Sequence, residues 1–185
     1  MFINIITPCS RPENLHLVSK SINIPKENYR WIVVFDSLTL PDKSYIPDNC
    51  EYYLHKDPNS ISGNGQRNFA LDLVEMGYIY FNDDDTTLHP EFWDNVKDCD
   101  EEFISFAQAL INNQIRLTGE TIKLERIDSH NFLVSKNLVG NSRWRLDVYA
   151  ADGFFAIECY EKATRKKYIN KVLSIYNRLR YPITN

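Results

Sequence analysis

The chain has 185 residues, 43% of them hydrophobic and 13% aromatic, which is enough apolar material for one domain with a buried core. Its formal net charge is -4 and no run of Lys or Arg reaches five, which argues against capture of a nucleic-acid backbone. Residues 1–9 are apolar, but no basic stretch precedes them, and Pro8 and Arg11 stop the run far short of a spanning helix. A soluble, unprocessed, cytoplasmic protein without a membrane segment is expected.

The first element is a β-branched strand over residues 2–7 (FINIIT), followed by a loop with Thr7, Pro8 and Arg11 and a helix over residues 13–21. A continuous apolar strand, residues 31–35 (WIVVF), ends on Asp36. A polar, proline-bearing stretch leads to a third strand at residues 51–55 and a glycine-bearing loop at 57–65. Residues 66–76 (QRNFALDLVEM) place Phe69, Leu71, Leu73 and Val74 on one helical face, with Gly77 as the C-terminal cap. The strand at 78–82 (YIYFN) then delivers Asp83, Asp84 and Asp85 at its C-terminal end. Alternating strand and helix indicates a parallel α/β sheet, whose ligands bind outside the carboxyl ends of the strands.

In the second half, a helix is expected to start over 90–96 and a strand to run over 102–110. A hairpin within 114–124 turns near Thr118 and Gly119, and 132–134 is a short strand. An amphipathic helix over 152–164 and a basic closing helix over 167–178 complete the chain. Cys9, Cys50, Cys99 and Cys159 are scattered singly, which reads as free thiols in a reducing compartment, with one disulfide left open.

Three consecutive carboxylates repel one another unless cations or hydrogen-bond donors offset them. A divalent metal is the simplest offset, and oxygen ligands suit Mg2+ or Mn2+, which complete their shells with water and substrate phosphates. The plain alternative is a solvated acidic turn that caps a helix. Asp36 emerges at the same sheet edge, where it suits a ribose or base rather than a metal. Thr7, Pro8 and Arg11 follow the first strand, and Arg67 opens the helix after the glycine-bearing loop; both places suit a nucleotide diphosphate. The four histidines show no metal-ligand spacing and no serine sits in a nucleophile elbow, which disfavours hydrolase triads and zinc hydrolysis. His130, in the polar string IDSHN with Asp128, is a candidate on the acceptor or phosphate side, its alternative being a satisfied structural histidine. Asp152 in AADGFF is either a helix cap or a general base, with Glu158 the second choice. Trp93 and Trp144 suit carbohydrate stacking or ordinary packing.

Together, Thr7-Pro8 with Arg11, Asp36, GNGQRNFAL from Gly63 and FNDDDT from Phe81 resemble a GT-A type glycosyltransferase. Gln66-Arg67-Asn68 ahead of the aspartates resembles both the inverting family of cellulose and chitin synthases, glycosyltransferase family 2, and the glucuronyltransferases of proteoglycan synthesis. The resemblance covers residues 1–95, and beyond them DSHNFLV at Asp128 and ADGFF at Asp152, which look like small bacterial or viral relatives. It implies one GT-A domain over 1–185, a mixed, mostly parallel sheet flanked by helices. Residues 1–95 form its nucleotide-sugar half and 96–185 its acceptor half.

The resemblance further implies a hexosyltransferase that moves sugar from a UDP-sugar to a glycan or other hydroxyl acceptor with inversion. Asp36 and Asp83 contact the nucleoside, Asp85 with Asp83 holds Mn2+ or Mg2+, Asp84 assists metal or sugar, Arg67 lies near the donor and Asp152 is the base. The acceptor motif QxxRW is absent, with only Ser142-Arg143-Trp144 similar to its end, and no histidine beyond Asp152 completes a metal site. Acceptor, third metal ligand and oligomeric state stay open. The competing readings are a metal-dependent nucleotidyltransferase and a non-catalytic carbohydrate-binding module with a structural cation.

Overall fold

Apolar β-branched and aromatic runs too short for helices make the strands of this chain, and a computed structural model describes residues 1–180 of it. Strands β1 (Ile3–Cys9), β2 (Tyr29–Phe35), β3 (Glu51–Leu54) and β4 (Tyr78–Phe81) are separated by helices α1 (Leu15–Ser21) and α2 (Asn64–Asp72). After them come β5 (Thr87–Leu88), α3 (Phe92–Val96), β6 (Phe103–Ala109) and β7 (Ile115–Leu117). The chain continues through β8 (Phe132–Ser135), α4 (Lys136–Val139), α5 (Ala151–Lys162) and β9 (Lys166–Ile175). Residues 181–185, the end of the expected acceptor half, lie outside the described residues.

All strands join one sheet in the order β3-β2-β1-β4-β8-β6-β9-β5, with β7 on β6. From β3 to β4 every pairing is parallel. Beyond β4 the sheet is mixed, because β8 runs antiparallel to both β4 and β6, while β6 pairs β9 in parallel. Alternate side chains fill two cores: Ile6, Ile32, Val34 and Phe81 pack with α2 and α5 on one face. Ile3, Ile5, Trp31, Val33 and Tyr80 pack with α1 and α3 on the other. The sequence reads as unbroken apolar runs because both faces are covered. No helix among the described residues is long and apolar enough to cross a membrane, and all four cysteines are free thiols.

Four expectations are corrected. Thr7 and Pro8 belong to β1 rather than to the loop after it. The expected closing helix at 167–178 is instead strand β9. Its pairing with β6 slips between Phe106 and Gln108, so the strand's apolar residues lose their period of two and mimic helical spacing. The hairpin turns at 110–114, where Leu110 N–H donates to the Gln114 carbonyl (2.8 Å) and Asn113 takes φ +64°. Asparagine tolerates that left-handed conformation through its short polar side chain. Helix α2 stops at Asp72, and Gly77 (φ +88°) serves the turn into β4 rather than capping the helix.

Gly119 instead passes over β6 at φ +73°, where an added Cβ would lie 2.2 Å from the Phe106 carbonyl oxygen. Gly119→Ala is therefore expected to cost at least ~1–3 kcal/mol for the left-handed backbone, with the overlap on top. Urea unfolding of the variant measures it, and a loss under ~0.5 kcal/mol would contradict this packing.

Candidate functional site

The carboxyl ends of β1, β2, β4, β6 and β9 reach one edge of the sheet, and antiparallel β8 starts there. Tyr80 of β4 pairs with Leu133 of β8, and extending that register brings Asp83 level with His130. This juxtaposition separates two adjoining clefts. The first, about 330 Å³, is lined by Pro8, Arg11, Asp36, the three aspartates and Arg180. The second, about 380 Å³, is lined by Arg116, Glu125, Asp128, His130, Trp144 and Asp152. Ser62, Arg67, Asp83, Tyr149 and Tyr176 line both.

The three aspartates have separate assignments. Asp84 is buried, and its carboxylate accepts from the backbone amides of Ser10 (2.7 Å) and Arg11 (2.8 Å) and from Arg11 Nε (2.8 Å) and Nη2 (2.5 Å). It therefore ties the β1–α1 turn to the end of β4, with its acceptor capacity spent. Asp83 pairs with Arg67 Nη2 and lies 3.2 Å from His130 Nε2. Burial would raise its carboxyl, but the charges of Arg67 and His130 prevail and hold it at about 2. Asp85 has Arg11 as its one ion-pair partner among the described residues, at 2.9 Å, and accepts a long bond from the Thr86 hydroxyl (3.4 Å). Burial first, and then the neighbouring Asp83 charge, push its carboxyl up.

His130 is buried between two carboxylates, with Nδ1 2.6 Å from Asp128 Oδ1 and Nε2 facing Asp83. Burial alone would lower the ring, but Asp83 and Asp128 lift it to about 10, so it carries a charge at neutral pH. The Asp83 amide also lies 3.1 Å from Nε2. With that nitrogen protonated, the attractive partner is the carboxylate rather than the amide. Arg116 closes the far end through Asp128 Oδ2 (2.7 Å), and Asp128 is held well below the usual carboxylate range as His130 and Arg116 outweigh its burial. The result is an alternating row, Arg116, Asp128, His130, Asp83, Arg67, across the boundary between the clefts.

Helix α2 sets the remaining geometry, starting after Gly63, whose φ of +77° and lack of a side chain let the turn lie against Pro8. Gln66 donates to Asp36 Oδ1 (3.0 Å) and to the His55 carbonyl (2.9 Å), fixing the Asp36 carboxylate at the cleft. Arg67 reaches Asp83 and the Ser62 carbonyl (2.7 Å), its guanidinium 4.5 Å from the Trp144 ring centroid. Asn68 exchanges bonds with the Trp144 backbone, donating at 2.9 Å and accepting at 2.8 Å, and Asn64 donates to the Arg145 carbonyl. The loop leading to α5 is thus held by the helix that positions Arg67. Asp152, in the first turn of α5, accepts from the Gly153 amide (2.7 Å). Burial first and the Asp128 charge second push its carboxyl up to about 6.

Of the residues singled out from the sequence, Arg11, Asp36, Arg67, Asp83, Asp84 and Asp85 converge on the first cleft with Pro8. Asp128, His130 and Asp152 converge on the second. Thr7 is buried and its hydroxyl accepts from the Trp31 indole (2.9 Å), so it supports β2 and touches neither cleft. Glu158 bonds Lys162 (2.5 Å) and Ser142 (2.8 Å) and lines neither cleft, which removes it as second choice for a base. Trp93 is half-buried against the core, and Trp144 is buried against Phe81 and Phe155.

Arg116, Tyr149, Tyr176 and Arg180 carry no motif in the sequence. The turn after β9 brings in the last two, pinned by Leu179 N–H donating to the Asp85 carbonyl (2.9 Å). The misread closing helix concealed this. Among the described residues no group of three or more His, Cys, Asp or Glu side chains is arranged to hold a metal ion. Asp83 and Asp85 are oxygen donors of the kind Mg2+ or Mn2+ takes with water and phosphate oxygens, with both Asp83 oxygens already facing Arg67 and His130. Asp85, only partly offset by Arg11, is where added positive charge would relieve most.

A histidine whose pKa is raised on folding contributes stability that is complete below its unfolded value of about 6.5 and drains away as pH rises through its folded value of about 10. Thermal melts from about pH 7 to pH 10.5 should fall in this way, and His130→Gln should melt lower at neutral pH with a flatter profile. An identical slope in the variant would mean that the folded ring is neutral.

No protein-family model and no curated protein sequence matches this chain. Solved structures do resemble it. A crystal structure of S. aureus TarS, residues 1–349, superposes with a TM-score of 0.78 at 16% identity, covering 95% of this chain and 60% of that one. TarS in complex with UDP-GlcNAc gives 0.71 at 15% identity, covering 95% and 58%. The mannosyltransferase PcManGT from Pyrobaculum calidifontis, in complex with GDP-Man and Mn2+, gives 0.69 at 13% identity, covering 95% and 56%. The chain thus spans about three fifths of the length of the structures it matches. At these identities the likeness establishes architecture: the described residues have the GT-A glycosyltransferase fold.

Proposed function

We propose that this chain transfers a hexose from a nucleotide-diphosphate sugar, a UDP-sugar by family resemblance, to a hydroxyl acceptor, with inversion at the anomeric carbon. The observation that carries this is the pair of adjoining clefts sharing Arg67 and Asp83, one rich in cations and aspartates, the other holding a carboxylate raised to about 6. Solved neighbours on the same fold bind UDP-GlcNAc and GDP-Man, which supports a nucleotide sugar in the first cleft. Residues 1–95 supply most of that donor half, and 96–185 most of the acceptor half.

Asp36 suits the ribose or base, and Arg11, Arg67 and Arg180 surround the place for the diphosphate. Asp83 and Asp85 would hold Mn2+ or Mg2+, which supplies Lewis-acid stabilisation of the departing diphosphate; the Mn2+ in the PcManGT complex supports that choice. Asp84 contributes by holding Arg11. In the second cleft the Asp152 carboxylate takes the acceptor proton as the acceptor oxygen bonds to the anomeric carbon. The bond from that carbon to the phosphate oxygen breaks, and the nucleoside diphosphate leaves with the electron pair. A carboxyl raised to about 6 is mostly ionised at neutral pH yet more basic than an exposed aspartate.

Thermal shift with UDP, GDP, CDP and dTDP, each with and without Mn2+, tests the donor half, because a ligand bound only to the folded state raises the melting temperature. One diphosphate should stabilise the protein, more so with Mn2+, and Asp85→Asn should lose the metal-dependent part. No shift with any combination would favour the binding-module reading. For the acceptor half, kcat/KM should decline below about pH 6, as Asp152 becomes protonated. Asp152→Asn should lower turnover ~100-fold or more while the diphosphate shift persists; an unchanged rate removes Asp152 as base.

A further inference from the structure

The second cleft has an unusual charge arrangement whose consequence for the acceptor goes beyond the transfer reaction, although it rests on that reading. Each of its cations is engaged: Arg67 with Asp83, Arg116 with Asp128, and His130 with both carboxylates. Glu125 and Asp152 line the same cleft, and among the described residues neither has an ion-pair partner. A phosphate or uronate entering here would meet two unpaired carboxylates and, among the described lining residues, no free cation, a repulsive arrangement. A lipid chain fits no better, because the aliphatic lining is confined to Leu117, Ile127 and Ala150.

What the cleft does offer is acceptor oxygens beside aromatic rings. Tyr149 is 82% exposed on the turn before α5 and borders both clefts. The Tyr176 ring packs under Arg116, whose guanidinium carbon lies 3.8 Å from the ring centroid. Carboxylates accept hydrogen bonds from hydroxyls, and tyrosine rings take the C–H face of a pyranose while their hydroxyls stay hydrated. Among the described residues, Ser62 (φ +54°), Glu125 (+62°) and Asn177 (+51°), which border these clefts, have positive φ.

We propose that the acceptor is an uncharged glycoside, its ring seated on Tyr149 and its hydroxyls bound by Glu125 and Asp152. The test uses the full chain, Mn2+ and the nucleotide sugar chosen by thermal shift, and measures nucleoside diphosphate release and product mass. The acceptors are p-nitrophenyl glucoside, galactoside and N-acetylglucosaminide, set against p-nitrophenyl glucuronide, glucose 6-phosphate and a Ser/Thr-rich peptide. A neutral glycoside should accept sugar and the anionic ones should not. Tyr149→Ala and Glu125→Gln should raise the acceptor KM about tenfold, with a much smaller change in donor KM. Donor cleavage by water without transfer to any neutral glycoside, or preference for the glucuronide, phosphate or peptide, overturns the acceptor assignment alone. No donor cleavage under any condition overturns the transferase reading, and this assignment with it.

Discussion

Three adjacent carboxylates at the end of one strand depend on each having its own compensation. At an effective dielectric of about 20, two unit charges 4 Å apart interact by about 4 kcal/mol, a large share of a domain's net stability. The chain meets this constraint with partners from elements distant in sequence. Asp84 takes the β1–α1 turn and Arg11, Asp83 takes Arg67 and His130, and Asp85 is left with the remaining reach of Arg11. Unequal compensation gives three identical side chains three different settings: an anchor, a bridge and an under-neutralised carboxylate.

The bridge links the two halves of the molecule. The antiparallel register of β4 and β8 sets Asp83 against His130, while α2 brings Arg67 to the other side of the same carboxylate. Because Asn64 and Asn68 of α2 also hold the loop before α5, one helix orients Asp36, Asp83 and the approach to Asp152. Polar residues on the buried face of a helix serve here as positioning devices, and their hydrogen bonding, complete apart from Arg67 Nε, offsets the desolvation they suffer.

Most of the first cleft was legible in the sequence because local rules govern it. Asp36 and the aspartate triplet follow continuous apolar strands of a parallel sheet, so their place at the carboxyl edge follows from chain direction alone. The second cleft was legible only in fragments. Asp128, His130 and Asp152 could be named, but Arg116 and Tyr149 lie in segments without periodic signal. Tyr176 was hidden because the bulged pairing of β9 imitates a helix.

The sequence by itself determined the alternation of strand and helix in the first half, the apolar character of β1, β2 and β4 and the kinds of residue available for chemistry, since these follow from backbone propensity and hydrophobic period. Only the tertiary structure decided which aspartate anchors, which bridges and which remains under-neutralised, that Thr7 and Glu158 stand away from the clefts, and that four side chains without a motif stand within them. Charge compensation and desolvation depend on distances between groups far apart in the chain, and those distances are set by strand register and helix packing, which composition and spacing do not encode.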